Sequence, residues 1–217
     1  MQRRKIILAK VFIWAACLAP LGRLGYKALT GGLTANPIEF ITLSTGTWAL
    51  VFVMATLSIT PLRQFTGQNW LIKLRRPIGL FAFFYGFLHF TTYVWLDKFF
   101  DLHDMVRDVL KRPFITAGFF AFVLMIPLAV TSTAWAIRKM GGRNWQMLHR
   151  LIYLTGIAAV IHFWWKVKAD TRQPAIFALV LTVLLGCRII NWVIRRQTSV
   201  IKSPAGLPTY TRAKISS

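Results

Sequence analysis

The feature that most constrains this chain is a series of long apolar segments separated by short, mostly basic connections. A helix needs roughly 20 mostly apolar residues to cross about 30 Å of hydrocarbon, and a backbone in lipid must satisfy its own hydrogen bonds. Six segments come close to that length, at approximately 7–24, 43–60, 77–96, 114–136, 149–165 and 175–194. The sequence therefore predicts an all-α integral membrane protein, a bundle of six transmembrane helices.

The distribution of charge predicts the orientation of this bundle. If the N-terminus is cytoplasmic, the inside segments hold 17 Lys and Arg residues against 9 in the outside segments, and all six acidic residues lie outside. Cytoplasmic loops carry the excess of basic residues in membrane proteins, so both termini are predicted to be cytoplasmic in a bacterial inner membrane. The net charge of +21 also raises nucleic-acid binding, but there the basic residues would gather on one folded face rather than punctuate apolar segments.

The chain divides into a membrane domain and two short terminal segments. Residues 1–6 are predicted to be a cytoplasmic N-terminus. The run that follows resembles a secretory signal, but Lys10 interrupts it and further spans follow, which favours an uncleaved first helix. Residues 7–196 form the predicted membrane domain, in which the charged outside loop at 98–112 is expected to form a short surface helix. Residues 197–217 lack apolar periodicity and are predicted to be a flexible cytoplasmic tail.

Most tryptophans fall near the ends of the predicted spans. An amphipathic indole ring is favoured at the level of the lipid headgroups, so these residues are interpreted as an aromatic belt rather than as a ligand-binding box. They are Trp70, Trp95, Trp135, Trp145, Trp164, Trp165 and Trp192.

Three histidines are the candidate functional residues, because an imidazole within or at the end of an apolar helix needs a partner, a cavity or a metal ion. His89 lies 12 residues after Pro77, about 18 Å along the third span, and His162 lies 13 residues after His149, about 20 Å along the fifth, which runs the same way. These two are therefore predicted at matching depth in the outer half of the membrane. Facing imidazoles on two helices can supply both axial ligands of one haem.

His149 lies at the cytoplasmic end of the fifth span, where the third span offers Arg75 or Arg76 instead of a histidine. A second haem there would have one obvious axial ligand, with an arginine such as Arg76 available to pair with a propionate. On an ideal helix His149 and His162 lie about 140° apart. Both can face the bundle interior only if the helix tilts, bends or starts loosely near His149.

The residues alone leave three function classes open. A haem electron-transfer subunit accounts for the depth-matched histidines, although a single histidine in a span is more often a structural, hydrogen-bonded residue. A non-redox membrane anchor or assembly factor would use the basic loops to recruit partners. A transporter is disfavoured because the spans contain no Asp or Glu and no internal repeat. No dinucleotide-binding motif or soluble domain is found, so any electron donor or substrate would be external.

Four stretches carry a resemblance to a known family. They are residues 74–89, which begin Leu-Arg-Arg-Pro-Ile-Gly-Leu and end in a histidine, residues 126–132, residues 145–154, which read Trp-Gln-Met-Leu-His-Arg-Leu-Ile-Tyr-Leu, and His162. In combination they resemble the MsrQ (YedZ) family over about residues 7–196. That family comprises the haem-binding membrane subunits of periplasmic methionine sulfoxide reductase systems and is related to the membrane domain of ferric reductases and NADPH oxidases.

The resemblance implies an electron conduit in a protein-repair system. Electrons from a cytosolic flavin reductase or the quinol pool would pass through haem b to a periplasmic molybdopterin subunit, and that subunit, not this chain, would reduce methionine sulfoxide. The family's haem ligands fall on His89 and His162, with His149 as the third family histidine. The wider oxidase pattern has paired histidines on both helices, and the inner partner on the third span is absent here, which leaves one haem or two. FMN is also associated with the family, and no residue of this sequence places it.

Overall fold

A computed structural model describes residues 2–201 of the chain, and within that range the ordered elements are helices with no strand. The elements are α1 Gln2–Leu29, α2 Pro37–Thr66, α3 Ile72–Thr91, α4 Leu102–Lys111, α5 Pro113–Val130, α6 Ala134–Met140, α7 Gly142–Leu148, α8 Leu151–Lys166 and α9 Arg172–Ile201. A 3₁₀ turn, Asn69–Leu71, precedes α3, and a π-helical turn, Thr92–Asp97, follows it. The all-α prediction is confirmed for the described residues.

Five of the described helical segments are long and apolar enough to cross a membrane. They are Pro37–Thr66, Asn69–Asp97, Pro113–Val130, Gly142–Lys166 and Arg172–Ile194. The helix α1, part of which has side chains outside the described portion of the chain, is not among them. A multi-pass membrane protein is thus established, whereas a sixth span and cytoplasmic termini stay predictions.

Two helix pairs form the centre of the bundle, because α2 packs along α3 and α5 packs along α8. The core between them contains Leu57 and Val53 of α2, Tyr85 of α3 and Thr155 of α8, all at most 2% exposed. The helix α9 contributes Leu181, which packs close to Gly156 of α8. The pairs place the C-terminal halves of α3 and α8 next to each other, and this arrangement positions the site described below.

The helix α1 packs on the bundle through Cys17 and Trp14, and a buried hydroxyl adds two hydrogen bonds. Tyr85, 1% exposed, accepts a hydrogen bond from the Leu21 backbone N–H at 3.1 Å and donates one to the Cys17 carbonyl at 2.8 Å. Those two backbone groups are four residues apart and would bond each other in a regular helix. The side chain of α3 is therefore inserted into the hydrogen-bond ladder of α1, next to Pro20, where an interruption of the ladder is expected.

The fourth span ends before its predicted limit at residue 136, since α5 stops at Val130. The Thr131 and Ser132 hydroxyls donate to the carbonyls of Pro127 and Leu128, which satisfies two of the carbonyls that a helix end leaves free. Thr133 then caps α6 through the Ala136 N–H. Hydroxyl groups at three consecutive positions thus offer the backbone an alternative to continuing the helix.

The surface helix expected at 98–112 is confirmed as α4. Asp108 at its centre is buried and pairs with Lys98 at 2.6 Å and with Arg112 at 3.3 Å. Burial alone would raise the pKa of Asp108, but the hydrogen bond and charge of Lys98, with the charge of Arg112, hold that pKa below its usual value. The same hydrogen bond raises the pKa of Lys98.

The last helix continues past the predicted start of the tail at residue 197, because α9 ends at Ile201. The remainder of the predicted flexible tail, residues 202–217, lies outside the described residues, as does Met1.

Candidate functional site

His89 of α3 and His162 of α8 lie side by side in the bundle. Their ring centroids are 6.0 Å apart and the ring planes are inclined by 72°. Both side chains are half-buried. The structure therefore brings together the two histidines that the sequence placed at matching depth. They lie near the end of the bundle that carries α4, which we call the α4 end.

The His89 ring is held by α2. Its Nδ1 lies 2.9 Å from the Thr42 carbonyl oxygen, and because a carbonyl only accepts, Nδ1 carries the proton. The ring also lies directly against Gly46, where an added Cβ would come within 2.9 Å of Nδ1 and Cε1. Glycine at this position lets the imidazole approach the helix backbone closely.

The His162 ring is held by α5 in the same way. Its Nδ1 lies 2.6 Å from the Phe114 carbonyl oxygen, and an added Cβ at Gly118 would come within 2.6 Å of that nitrogen. The glycine again follows the accepting carbonyl by four residues, as Gly46 follows Thr42. The two helix pairs thus repeat one local arrangement: a carbonyl, a glycine one turn later, and a histidine from the neighbouring helix.

This arrangement leaves the Nε2 atom of both rings with a lone pair. A histidine whose Nδ1–H bonds a backbone carbonyl has a fixed tautomer and orientation, which is the usual preparation of a metal ligand. Two imidazoles on opposite sides of one metal ion, each about 2 Å from it, would have ring centroids roughly 6 Å apart. The observed centroid separation is of the size that two imidazoles sharing one haem iron would have, and the ligand roles of His89 and His162 stay predictions.

A haem suits this site better than a bare metal ion, because its ring supplies the remaining ligands. Within residues 2–201 no group of three or more His, Cys, Asp or Glu side chains could hold a metal ion. The Phe114 ring lies beside the pair, with its centroid 6.2 Å from that of His162. Elsewhere between α3 and α5, Phe90 stacks on Phe122 at 4.7 Å, and Phe122 stacks on Phe83 at 5.9 Å. The surroundings of the site are therefore apolar on this side.

His149 lies at the other end of the bundle, which we call the His149 end, and its environment differs. Its Nε2 lies 3.1 Å from the Thr131 hydroxyl, whose own proton goes to the Pro127 carbonyl at 2.6 Å. The hydroxyl therefore accepts, and Nε2 of His149 carries the proton. Trp145 stacks on the ring at 3.8 Å and donates to the Thr131 carbonyl at 2.9 Å. Trp145 is half-buried and stacks on His149, a contact that the belt interpretation did not include, and its place at the membrane interface stays a prediction.

The loose helix start that the sequence required near His149 is present. The helix α8 begins at Leu151, and His149 follows α7 as its C-terminal cap. His149 is thus free of the angular relation to His162 that one continuous helix would impose. Arg75 lies close enough to His149 to interact with it electrostatically, whereas Arg76, the candidate propionate partner, is exposed. His103 is exposed on α4, as expected.

One residue that sequence reasoning passed over is Arg188 of α9. It donates through Nη2 to the Leu57 carbonyl at 2.7 Å, an acceptor that Pro61 leaves free because proline has no N–H. Its guanidinium carbon lies 4.8 Å over the Tyr153 ring. Its Nε and Nη1 atoms are buried without an acceptor. The signal was available, since Arg188 lies well inside the predicted span 175–194 and ionisable residues within spans are functional candidates.

Comparison with known proteins gives a consistent result. The model of the ferric reductase like transmembrane component family matches residues 42–160, which include His89 and His149 and stop short of His162. A protein-methionine-sulfoxide reductase heme-binding subunit MsrQ from Herminiimonas arsenicoxydans is 53% identical over 187 residues, covering 85% of this chain and 86% of the relative. The proteins of the same name from Ralstonia nicotianae and Xanthomonas campestris are 51% and 46% identical, each covering at least 86% of both chains. No solved structure matches the chain.

Proposed function

The chain belongs to the ferric reductase-like transmembrane family, and within it to the heme-binding MsrQ subunits of protein-methionine-sulfoxide reductase, and on that basis we propose that it is a haem b electron-transfer subunit. It takes electrons from a cytosolic flavin reductase or from quinol. It passes them to a periplasmic molybdopterin subunit that reduces methionine sulfoxide in oxidised proteins. Substrate reduction takes place on that partner, so this chain is the redox-active membrane part of a repair system.

The observation that supports the proposal most is the histidine pair. The ring centroids of His89 and His162 lie 6.0 Å apart. Each Nδ1 bonds a backbone carbonyl, which leaves each Nε2 available to bind the haem iron. Bound haem supplies a one-electron couple between ferric and ferrous iron. The chain would contribute the two imidazole ligands, fixes their tautomer through the carbonyls of Thr42 and Phe114, and places the Phe114 ring beside His162. Burial and hydrogen bonding of this kind set the potential of a haem.

The His149 end is proposed as the side at which electrons enter. His149 and Arg75 lie close to each other there. Arg188 lies over the ring of Tyr153, four residues after His149. The predicted inside connections contain no acidic residue. An uncompensated positive region suits the phosphate of a flavin, FMN included, or the propionates of a second haem bound by His149. Haem stoichiometry of one or two therefore depends on His149.

We also propose that α1 is the sixth span and that both termini are cytoplasmic. The support is the 17 to 9 division of basic residues and the docking of α1 on α2 and α3 through Tyr85. Fusion of a periplasm-active alkaline phosphatase after residue 196 should give no activity, and the same fusion in the 98–112 loop should give activity. The reverse pattern would contradict this topology.

The decisive experiment is an optical spectrum of the purified chain expressed with a haem supply. Oxidised and dithionite-reduced samples should differ by the Soret and α bands of a b-type haem. The reduced chain should pass electrons to the periplasmic subunit and support methionine sulfoxide reduction only in its presence. A chain that binds no haem under these conditions would instead be a membrane anchor or an assembly factor.

A further inference from the structure

The helix α4 presents three different faces. Leu102, Val106 and Leu110 follow one another at intervals of four residues, so they form a single stripe along the helix, and they are 72%, 59% and 80% exposed. Such a stripe of large apolar side chains on a ten-residue helix has no partner within the described residues. At its N-terminal end it continues into Phe99 and Phe100, which are 77% and 63% exposed.

The charges of α4 are sorted between its other two faces. The acidic side chains turn towards the protein, where Asp108 pairs with Lys98 and Arg112 and accepts from Tyr93, and Asp104 lies 3.5 Å from Lys98. The basic side chains lie on the outer side, next to the apolar stripe. They are His103, Arg107 and Lys111. Asp104 and Asp108 are thus compensated within the chain, while Asp101 at the N-cap is exposed and accepts from the Asp104 N–H. The rest of the surface offered to the surroundings is apolar and basic.

The short connections on both sides of α4 hold it close to the ends of two membrane-spanning segments. Four residues, 98–101, separate it from the end of one membrane-spanning segment at Asp97, and Arg112 alone separates it from the start of the next at Pro113. The Thr116 hydroxyl of α5 also donates to the Val109 carbonyl of α4. Ten helical residues extend about 15 Å, and both ends are tied to span ends. The C-terminal end of α4 is therefore held directly at the start of one span, and its N-terminal end stays within four residues of the end of the other.

We propose that α4 is an interfacial helix whose Leu102, Val106 and Leu110 insert into the lipid at the membrane surface. An apolar stripe bordered by Arg and Lys is the pattern of helices that lie in the headgroup region, with the apolar face buried about 5–10 Å deep. The basic face then meets lipid phosphates, while Phe99 and Phe100 extend the inserted surface, as aromatic residues at interfaces do.

This placement has a consequence for the histidine pair. Phe114, the carbonyl partner of His162, is the second residue of α5 and comes two residues after Arg112, which pairs with α4. Insertion of α4 therefore sets the height of the start of α5 relative to the lipid. The His162 ring lies at that level, close to the surface from which a soluble acceptor approaches.

The test uses the full chain with Cys17 and Cys187 replaced by Ala, reconstituted in vesicles of phosphatidylethanolamine and phosphatidylglycerol. An environment-sensitive fluorophore is attached at Val106→Cys, and at Arg107→Cys as the matched control one position along. At position 106 we expect blue-shifted emission, quenching by lipids brominated on their chains and loss of quenching by aqueous iodide. At position 107 iodide quenching should persist.

Equal iodide quenching at positions 106 and 107 in vesicles without other proteins would overturn the proposal. Protection at 106 that arises only when the periplasmic subunit is added would show a protein docking face instead, and protection that disappears as lipid is added in excess over protein would show contact between copies. The triple variant Leu102→Ser, Val106→Ser, Leu110→Ser should still insert and bind haem, but lose protection at a fluorophore placed on Phe99→Cys, which is 77% exposed at the end of the stripe.

Discussion

The two ends of the bundle use the same residue type in opposite ways. At the α4 end, His89 and His162 each give their Nδ1 proton to a backbone carbonyl and lie against a glycine, so that both Nε2 atoms are left over. At the other end, His149 gives its Nε2 proton to a threonine hydroxyl and is covered by Trp145. The α4 end thus has two imidazoles whose Nε2 atoms have no hydrogen-bond partner within residues 2–201, and the His149 end has a single imidazole whose Nε2 already bonds Thr131.

The comparison shows that the presence of a histidine in a span does not by itself indicate a haem ligand. What matters is which ring nitrogen is left without a hydrogen-bond partner. A lone pair on Nε2 projects away from the ring's attachment point, whereas Nδ1 lies beside it and is more hindered. Haem ligation at the α4 end therefore needs no rearrangement of hydrogen bonds. At the His149 end, ligation through Nε2 would first break the contact with Thr131.

The largest expected effect comes from removal of the histidines themselves. His89→Ala or His162→Ala should each abolish the same low-spin haem signal in low-temperature EPR and stop electron delivery, because one axial ligand cannot hold the low-spin state. His149→Ala should leave that signal in place and lower total haem content or electron entry. Membranes with matched protein amounts provide the comparison. Loss of the low-spin species in His149→Ala alone would reverse the assignment of the two ends.

The next effect tests the glycine that accompanies each ligand. Gly118→Ala places a Cβ within 2.6 Å of the His162 Nδ1, and Gly46→Ala places one within 2.9 Å of the His89 Nδ1. Each should lower haem affinity by about 10- to 100-fold, the usual cost of disturbing the support of a metal ligand. Titration of the apo-chain with haem measures it. Gly186→Ala, which meets nothing within 4 Å, is the control and should bind haem normally.

A smaller effect is expected at the His149 end. Thr131→Val keeps the shape of the side chain but removes the acceptor for His149 and the donor to Pro127. The free energy of unfolding should fall by about 1 kcal/mol for each lost hydrogen bond, with the low-spin signal unchanged. Thr182→Val, whose hydroxyl bonds only its own helix at Ala178, is the matched control. A changed low-spin signal in Thr131→Val alone would show that the two ends are coupled.

The smallest effect concerns α4 and its pH dependence. The pKa of Asp108 is lowered, so its contribution to stability is complete above the usual value of 3.8 and is lost as the pH falls through the lowered pKa. The pKa of Lys98 is raised, so its contribution is complete below 10.5 and is lost as the pH rises through the raised pKa. After correction for the intrinsic exchange rates, the amides of residues 102–111 should show constant protection from hydrogen exchange between pH 3.8 and pH 10.5. Asp108→Asn should increase amide exchange in α4 at all pH values. Unchanged protection in this variant would show that the ion pair between Asp108 and Lys98 does not stabilise α4.

Much of the fold could be predicted from the apolar segments, because length and hydropathy decide which residues enter a membrane. The surface helix α4 and the pairing of His89 with His162 followed from charge alternation and helix rise. The limits of α5 did not, since its end depends on hydroxyl groups bonding its last carbonyls at Thr131 and Ser132. A hydropathy profile carries no information on whether side-chain hydroxyls or backbone N–H groups bond these carbonyls.

The finer parts of the site required contacts between distant segments. Nothing in the sequence marks Gly46 or Gly118 as the surface against which an imidazole lies, because each is one glycine in an apolar run. Trp145 near a span end has the position of a belt residue, and only its stacking on His149 distinguishes it. Arg188 could have been singled out, but its acceptor at Leu57 is 131 residues away.

The Tyr85 hydroxyl has a consequence for the assembly of the protein during synthesis. The helix α1 is made first, yet the group that enters its backbone ladder is 64 residues further along. At about 5–20 residues per second, translation of that interval takes on the order of 3 to 13 seconds. During this time α1 has no tertiary partner from α3. The contact that docks α1 on the bundle therefore forms only after α3 has emerged, so Tyr85→Phe should leave more chains with an uninserted N-terminus.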